Sequence, residues 1–289
     1  MGKVRIVTDS SAQFANPDLI ARYQIEVLPQ TIQVGSQTFR EGATLDPEAF
    51  LRMVSHSSPQ VSITAPSVDE FSALYARLNR STDQIISLHA SRHLGQAWHH
   101  ARAATKTLLG RCEIAVIDSM TTSVGLALLV EHAAHLAEAH ANLEEVVRQV
   151  RAMLPHVYTV CFVETLDYLR YNGLLSEAQS ILGTMLNIKP FLTIEEGELI
   201  PMEKVRTHTQ ALDKLVEFVS EFSALDRLVI LQNSPYPNDR TRQLQDRLAA
   251  EFGGRTFPVM VYGPSLAALI GPDAMGVVVH EDPDAEEDE

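Results

Sequence analysis

Hydrophobic and polar positions follow two grammars along the chain. In the first half, short β-branched and aliphatic runs are followed by stretches whose apolar residues recur every three or four positions, as buried strands alternating with amphipathic helices do. Strands are predicted at Val4–Thr8, Gln84–Leu88 and Glu113–Ile117, with another extended run at Glu26–Val34. Helices are predicted at Pro17–Tyr23, Asp46–Ser55, Phe71–Leu78, Gln96–Leu109, Val124–Ala139 and Leu143–Met153. Asp46 before Pro47 suits a helix start, since the carboxylate accepts from free amides and proline has no amide hydrogen to lose. This alternation predicts a mainly parallel sheet flanked by helices.

The second half reads differently. A strand at Tyr158–Val163 precedes helices at Leu166–Tyr171 and Ser176–Leu186. Phe191–Ile194, the turn Glu195–Gly197 and Glu198–Pro201 form a hairpin pattern, with glycine supplying the positive φ of the turn. A helix at Thr209–Phe222, a strand at Leu228–Leu231, a helix at Asp239–Phe252 and strands at Thr256–Tyr262 and Met275–His280 complete the pattern. The predicted fold class is therefore α/β with two domains. An N-terminal domain spans 1–155, ending at Pro155, and a C-terminal domain with a mixed sheet and a hairpin spans 156–280. Residues 281–289 read as an acidic disordered tail. No internal repeat or low-complexity linker interrupts them.

Composition narrows the function. The 289 residues are 45% hydrophobic and 21% charged, enough for a sizeable core. The formal net charge of −14 argues against nucleic acid and anionic membrane surfaces as partners. Seven of the acids, with no base, lie in Glu281–Glu289, so half of that charge is local to the tail. Cys112 and Cys161 are far apart in apolar runs and read as buried free thiols of a reducing compartment, not a disulfide or a zinc site. Met1 runs directly into a strand-like segment without a secretory leader, and no apolar stretch reaches the ~18–20 residues of a membrane span. A soluble, cytoplasmic protein without stable membrane insertion is expected.

The candidate chemistry lies where the first-half strands end. Val4–Thr8 runs into Asp9-Ser10-Ser11, and Val61 is followed by Ser62-Ile63-Thr64-Ala65-Pro66-Ser67. Gln84–Leu88 runs into His89-Ala90-Ser91, and Glu113–Ile117 into Asp118 to Ser123. In a parallel sheet these ends share one edge, where ligands bind, and hydroxyls beside helix N-termini suit a carboxylate or phosphate. Each hydroxyl can equally cap its own helix; the coincidence at several strand ends is what points to a site. No Walker or dinucleotide glycine pattern appears, no G-x-S-x-G elbow, and no nucleophile with its base, which favours binding over catalysis. His89/His93 and His132/His135 have spacings that can suit a metal, but surface or capping roles fit them better and no metal or cofactor is expected. Trp98 reads as packing, and Met185, Met202, Met260 and Met275 as core fillers or the lining of an adaptable cavity.

Several of these segments, in order, resemble the DegV family. They are V-T-D-S-S at the start, S-I-T-A-P-S at 62–67, A-V-I-D-S at 115–119, F-V-E-T-L-D-Y-L-R at 162–170, L-N-I-K-P-F-L at 186–192 and E-K-V-R at 203–206. The similarity runs from about residue 3 to 279; each motif is weak alone and the ordered set is specific. The resemblance implies a two-domain α/β protein, not an enzyme, that binds a long-chain fatty acid between its domains. It implies strand-end hydroxyls at the carboxylate and an apolar tunnel for the chain. Some family members are the acyl-carrier subunit of a fatty acid kinase, presenting the carboxylate to a separate kinase. The head-group grip implied here falls on Ser62, Thr64 and Ser91. Where the family loop reads S-S-x-L-S-G-T, this chain has Ser91-Arg92-His93-Leu94-Gly95-Gln96-Ala97. The family's G-R-I is Gly173-Leu174-Leu175, and a family histidine falls on Leu269. Arg92, with His89 and His93 nearby, offers replacement charge. Two other readings stay open: an enzyme acting on a small phosphorylated or carboxylated metabolite with Asp9 or Asp118 as acid or base, and a lipid sensor without kinase coupling.

Overall fold

The computed structural model describes residues 3–42, 46–55, 61–175 and 188–282. The predicted helix Ser176–Leu186 and tail residues 283–289 lie outside the described residues. The chain divides into two compact units, Met1–Leu45 with Ile63–Pro155 and Glu196–Glu198, and Asp46–Ser62 with His156–Glu195 and Leu199–Glu289.

The first unit is built on β1 (Arg5–Asp9), β2 (Glu26–Leu28), β6 (Gln84–His89) and β7 (Glu113–Asp118), in the order β2-β1-β6-β7 and all parallel. Every residue of β6 is buried, which is why this strand reads as an unbroken apolar run. The short strands β3 (Thr31–Val34), β4 (Gln37–Arg40) and β5 (Val61–Thr64) form a separate sheet in the order β4-β3-β5. The extended run predicted at Glu26–Val34 is thus two strands in two sheets, broken at Pro29, which has no amide for the ladder. Strand β4 was not anticipated; Gly35 at φ +57 turns β3 back onto it.

The helices of the first unit are α1 (Asp18–Tyr23), α3 (Val68–Leu78), α4 (Ala97–Ala104), α5 (Ser123–Glu138) and α6 (Leu143–Met153), while α2 (Pro47–Ser55) falls in the second unit. Asp46 caps α2 as expected, its carboxylate accepting from Ala49 N at 2.9 Å. A capping box starts α3: Glu70 N donates to Ser67 Oγ at 3.2 Å and Ser67 N to Glu70 Oε2 at 2.8 Å. Phe71, Leu74 and Tyr75 of α3 pack with Val7, Ile85 and Ala101 in one core. The helix predicted at Gln96–Leu109 is α-helical only to Ala104 and tightens into a 3₁₀ turn at Thr105–Leu108. There Thr105 and Thr107 donate their hydroxyls to the carbonyls of Arg102 and Ala104, competing with the regular ladder.

The second unit contains β8 (Val157–Phe162), β9 (Lys189–Glu195), β10 (Glu198–Val205), β11 (Leu225–Gln232), β12 (Val259–Val261) and β13 (Met275–Glu281), in the order β10-β9-β8-β13-β11-β12. Strands β9, β8, β13 and β11 run antiparallel in turn, and β12 pairs parallel with β11. The helices are α7 (Asp167–Tyr171), α8 (His208–Ser220), α9 (Asp239–Glu251) and α10 (Pro264–Ile270). Val160, Phe162, Leu212, Leu215, Leu244 and Val277 lie in the core of this unit. The fully buried α10 was not anticipated. An apolar helix with no polar face carries no amphipathic signal, and the strand predicted at Thr256–Tyr262 shrinks to three residues before it. No helix among the described residues is long and apolar enough to cross a membrane.

Candidate functional site

In the sheet of the first unit the chain steps from β1 to β2 on one side and returns to β6 on the other. The carboxyl ends of β1 and β6 therefore flank the switch point at which open α/β sheets place ligands. Asp9 ends β1 and His89 ends β6, both wholly buried. His89 Nδ1 lies 2.8 Å from Asp9 Oδ2, which also accepts from Ala90 N at 3.4 Å. Asp9 Oδ1 accepts from Ser11 N at 3.1 Å, from Gln30 Nε2 at 2.9 Å and from the Ser11 hydroxyl. Burial drives the Asp9 pKa up. The His89 hydrogen bond and charge, with the bonds from Ser11 and Gln30, outweigh that effect and hold it below the ordinary 3.8. Asp9 is therefore an ionised, acceptor-only carboxylate, and the His89 Nδ1 facing it carries the hydrogen.

On its other side His89 Nε2 lies 2.7 Å from Ser87 Oγ, to which Tyr75 donates at 2.8 Å. Ser87, His89 and Asp9 thus have the spacing of a hydrolytic triad. Ser87 nevertheless lies inside a central strand, fully buried, with its oxygen already accepting from Tyr75. A nucleophile must reach substrate, and this one cannot. The His89 expected at the surface or in a cap is instead the buried centre of this network, a role visible only once the strands are paired.

Ser91 and Arg92 follow in the next loop. Ser91 is buried, and its amide donates to Thr121 O at 2.8 Å. Its hydroxyl donates to Gly197 O at 2.6 Å and accepts from His93 N at 3.2 Å. Arg92 is half exposed; its Nε is 3.5 Å from Asp118 Oδ2, and its guanidinium lies 5.9 Å from the Trp98 ring centroid. His93 pairs with Glu198 at 3.5 Å. Two non-glycine residues after β7 are in left-handed conformation, Met120 in the loop and Ser123 at the start of α5, both at φ 54. Such strain collects where a fold positions a site. Ser62 and Thr64 lie on β5, Ser62 half-buried and Thr64 exposed. Ser62 belongs to the second unit, while Thr64, Ser91 and Arg92 belong to the first.

The other strand-end hydroxyls bond locally. Ser67 is a helix cap, Ser10 donates to Glu41 at 2.7 Å, and Ser119 donates to Thr121 O at 3.1 Å. Asp118 accepts from the amides of Met120 and Arg92 and so ties the loops after β7 and β6 together at the sheet edge. Cys161 is buried as expected, but Cys112 is only half-buried, at the end of a turn before β7. Met275 is a core residue, whereas Met202 is 51% exposed and fills no core gap; Met185 lies outside the described residues. Leu269 is buried in α10 and Leu174 half-buried beside Gly173, so neither presents a polar group. Among the described residues no group of three or more histidine, cysteine or acidic side chains is placed to hold a metal ion.

The second unit joins two of the sequence motifs. Glu164, from F-V-E-T, and Lys189, from N-I-K-P, form an ion pair. Glu164 also meets His208 Nε2 at 2.6 Å and Arg240 Nη1 at 3.6 Å, near the N-termini of α8 and α9. Burial raises the Glu164 pKa, but the bonds and charges of Lys189 and His208 win and hold it below the usual carboxylate range. This four-residue cluster was invisible in sequence because its members lie up to 76 positions apart, from Glu164 to Arg240.

Comparison with known proteins bears on this arrangement. A DegV domain-containing protein of Caldanaerobacter subterraneus is 30% identical over 283 residues, covering 97% of this chain and 100% of that protein. Protein DegV of Bacillus subtilis is 25% identical, covering 95% and 98%. A fatty acid binding DegV family protein of Streptococcus agalactiae superposes with a TM-score of 0.88 at 23% identity, covering 98% and 100%. A fatty-acid-binding DegV family protein of Thermus thermophilus gives 0.84 at 24% identity, covering 97% and 100%. The family model for uncharacterised proteins of the DegV family matches residues 3–282, and the chain belongs to that family.

Proposed function

We propose that this protein is a non-enzymatic, cytoplasmic carrier of a long-chain fatty acid. Its carboxylate is held by Ser62, Thr64 and Ser91 with Arg92, and its acyl chain lies in an apolar tunnel. The observation that carries the reading is the loop after β6, where the half-exposed Arg92 guanidinium stands next to Ser91 at the carboxyl edge of an inner strand of a parallel sheet. A hydroxyl and a guanidinium together suit an anionic oxygen. Relatives of the same fold from Thermus thermophilus and Streptococcus agalactiae are fatty-acid binders by name, which supports the same ligand class here. Burying the tail contributes about 0.8 kcal/mol per CH₂ before the ordering costs of binding. Presentation of the carboxylate to a separate fatty acid kinase is part of this reading. The inaccessible Ser87 speaks against a hydrolytic alternative.

Native mass spectrometry of the purified protein, with organic extraction of any bound molecule, tests the proposal. A stoichiometric fatty acid is the expected result and names the chain. An apo mass that also refuses added fatty acids overturns it. Kinase coupling is tested separately, by acyl-phosphate formation when a fatty acid kinase is added to the loaded protein.

A further inference from the structure

Asp9 receives five hydrogen bonds at the switch point of the first sheet, yet as an ionised carboxylate it repels an anionic head group and has no hydrogen to offer one. Whatever it does for the site, it does through its partners. Ser11 and Gln30 hold one carboxylate oxygen, while His89 and Ala90 N reach the other. The next residue is Ser91. The far side of the same segment is tied to the β7 loop, through Ser119 N to His89 O at 3.0 Å and Ser91 N to Thr121 O at 2.8 Å. The peptide from His89 to Ser91 is thus clamped between two strand ends, with Asp9 as the clamp on the β1 side.

We infer that Asp9 and His89 are positioning residues for the head group: they hold the Ala90–Ser91 segment in the register at which the Ser91 hydroxyl, which donates to the Gly197 carbonyl, can turn that hydrogen to a ligand carboxylate. The inference rests on the fatty-acid reading and adds to it two residues that touch no ligand. The chemistry makes the role specific. An ionised carboxylate accepts on both oxygens, so it serves the Ser11/Gln30 pair and the His89/Ala90 pair at once. An asparagine in its place offers one acceptor and one donor. One of the two pairs then faces a donor, and the segment bearing Ser91 loses its anchor.

The test compares two ligands that share a tail, oleate and oleyl alcohol, by equilibrium binding to the full chain. Asp9→Asn is expected to weaken oleate about tenfold, the scale of one hydrogen bond to a charged group, and to change oleyl alcohol by less than about twofold. Thr82→Val is the control. Thr82 Oγ1 donates to Lys3 O at 2.9 Å at the opposite end of the same sheet, and its loss should lower stability while leaving the acid-to-alcohol ratio at the wild-type value. Equal losses for both ligands in Asp9→Asn, or an equal change of ratio in Thr82→Val, overturn the inference. If Asp9→Asn does not fold, His89→Asn and His89→Leu carry the test. The asparagine amide can place a donor where Nδ1 stands and should keep the ratio, and leucine should lose it; the same ratio in both overturns the inference. Failure of the wild type to bind either ligand overturns the fatty-acid reading, and this inference with it.

Discussion

The Ser91 hydroxyl donates to the Gly197 carbonyl at 2.6 Å, and glycine at that turn meets two demands. Gly197 has φ +84, a left-handed conformation that side chains rarely adopt, and a Cβ there would drive into Ser91 Oγ and reach 3.3 Å from Ser91 Cβ. Gly197→Ala is therefore expected to destabilise by about 1–3 kcal/mol, combining backbone strain with overpacking. Urea denaturation measures it. The steric share should fall in a Ser91→Ala background, where the hydroxyl is gone, so a double-mutant cycle should give a coupling of at least about 0.5 kcal/mol. Strict additivity would mean that the contact contributes nothing.

That contact shows where sequence reading stops. The parallel strands, most helices and the hairpin turn at Gly197 were legible because each is specified locally, by period, caps and glycine. Ser91 was legible as a strand-end hydroxyl. Its bond to a residue 106 positions away was not, because nothing local to either residue encodes it. The same holds for His89, whose burial depends on Asp9, a strand neighbour 80 positions away. Helix α10 escaped for a different reason: it is buried on all sides, and uniform apolarity has no period.

Asp9 should make the first unit acid-sensitive. Its folded-state pKa lies below the unfolded value, so the unfolded chain takes up the proton more readily. The stability it contributes is complete above the ordinary 3.8 and is lost as the pH falls through the lower, folded value. Melting temperatures of the wild type and Asp9→Asn, compared over a pH series, are expected to differ most near neutrality. They should converge in strong acid, where the wild-type carboxyl is also uncharged. A constant gap across the series would show that the charge of Asp9 has no part in its contribution.

Glu164 is expected to stabilise the second unit modestly. Its side chain is one-third exposed and shares its charge among Lys189, His208 and Arg240, so solvent screens much of each interaction. Glu164→Gln should cost about 1 kcal/mol at low salt, measured by urea denaturation. The cost should shrink at roughly 1 M salt, where the screening length is about 3 Å. A cost independent of salt would assign the cluster's contribution to hydrogen bonding rather than charge.

The two free thiols should react very differently. Cys161 is wholly buried on β8, opposite Gly276 of β13, and burial pushes its pKa up to about 12. Cys112 is half-buried; its pKa is raised by burial and then by the charge of Asp83. Only the thiolate is nucleophilic, so both effects slow reaction at neutral pH, but Cys161 must in addition be uncovered. A thiol reagent such as Ellman's is expected to titrate Cys112 alone in the native protein and to reach Cys161 only on unfolding. Cys112→Ser should then show no native reactivity. Gly276 is what lets β13 lie this close, since a Cβ there would meet Cys161 Cα at 2.9 Å and the Val160 carbonyl as well. Those are backbone atoms that cannot step aside, so Gly276→Ala should part the two strands. In Cys112→Ser that substitution should turn a silent thiol into a reactive one, at denaturant concentrations where the parent is still native. Continued silence would mean that the sheet absorbs the methyl group elsewhere and that Cys161 is guarded by more than this pairing.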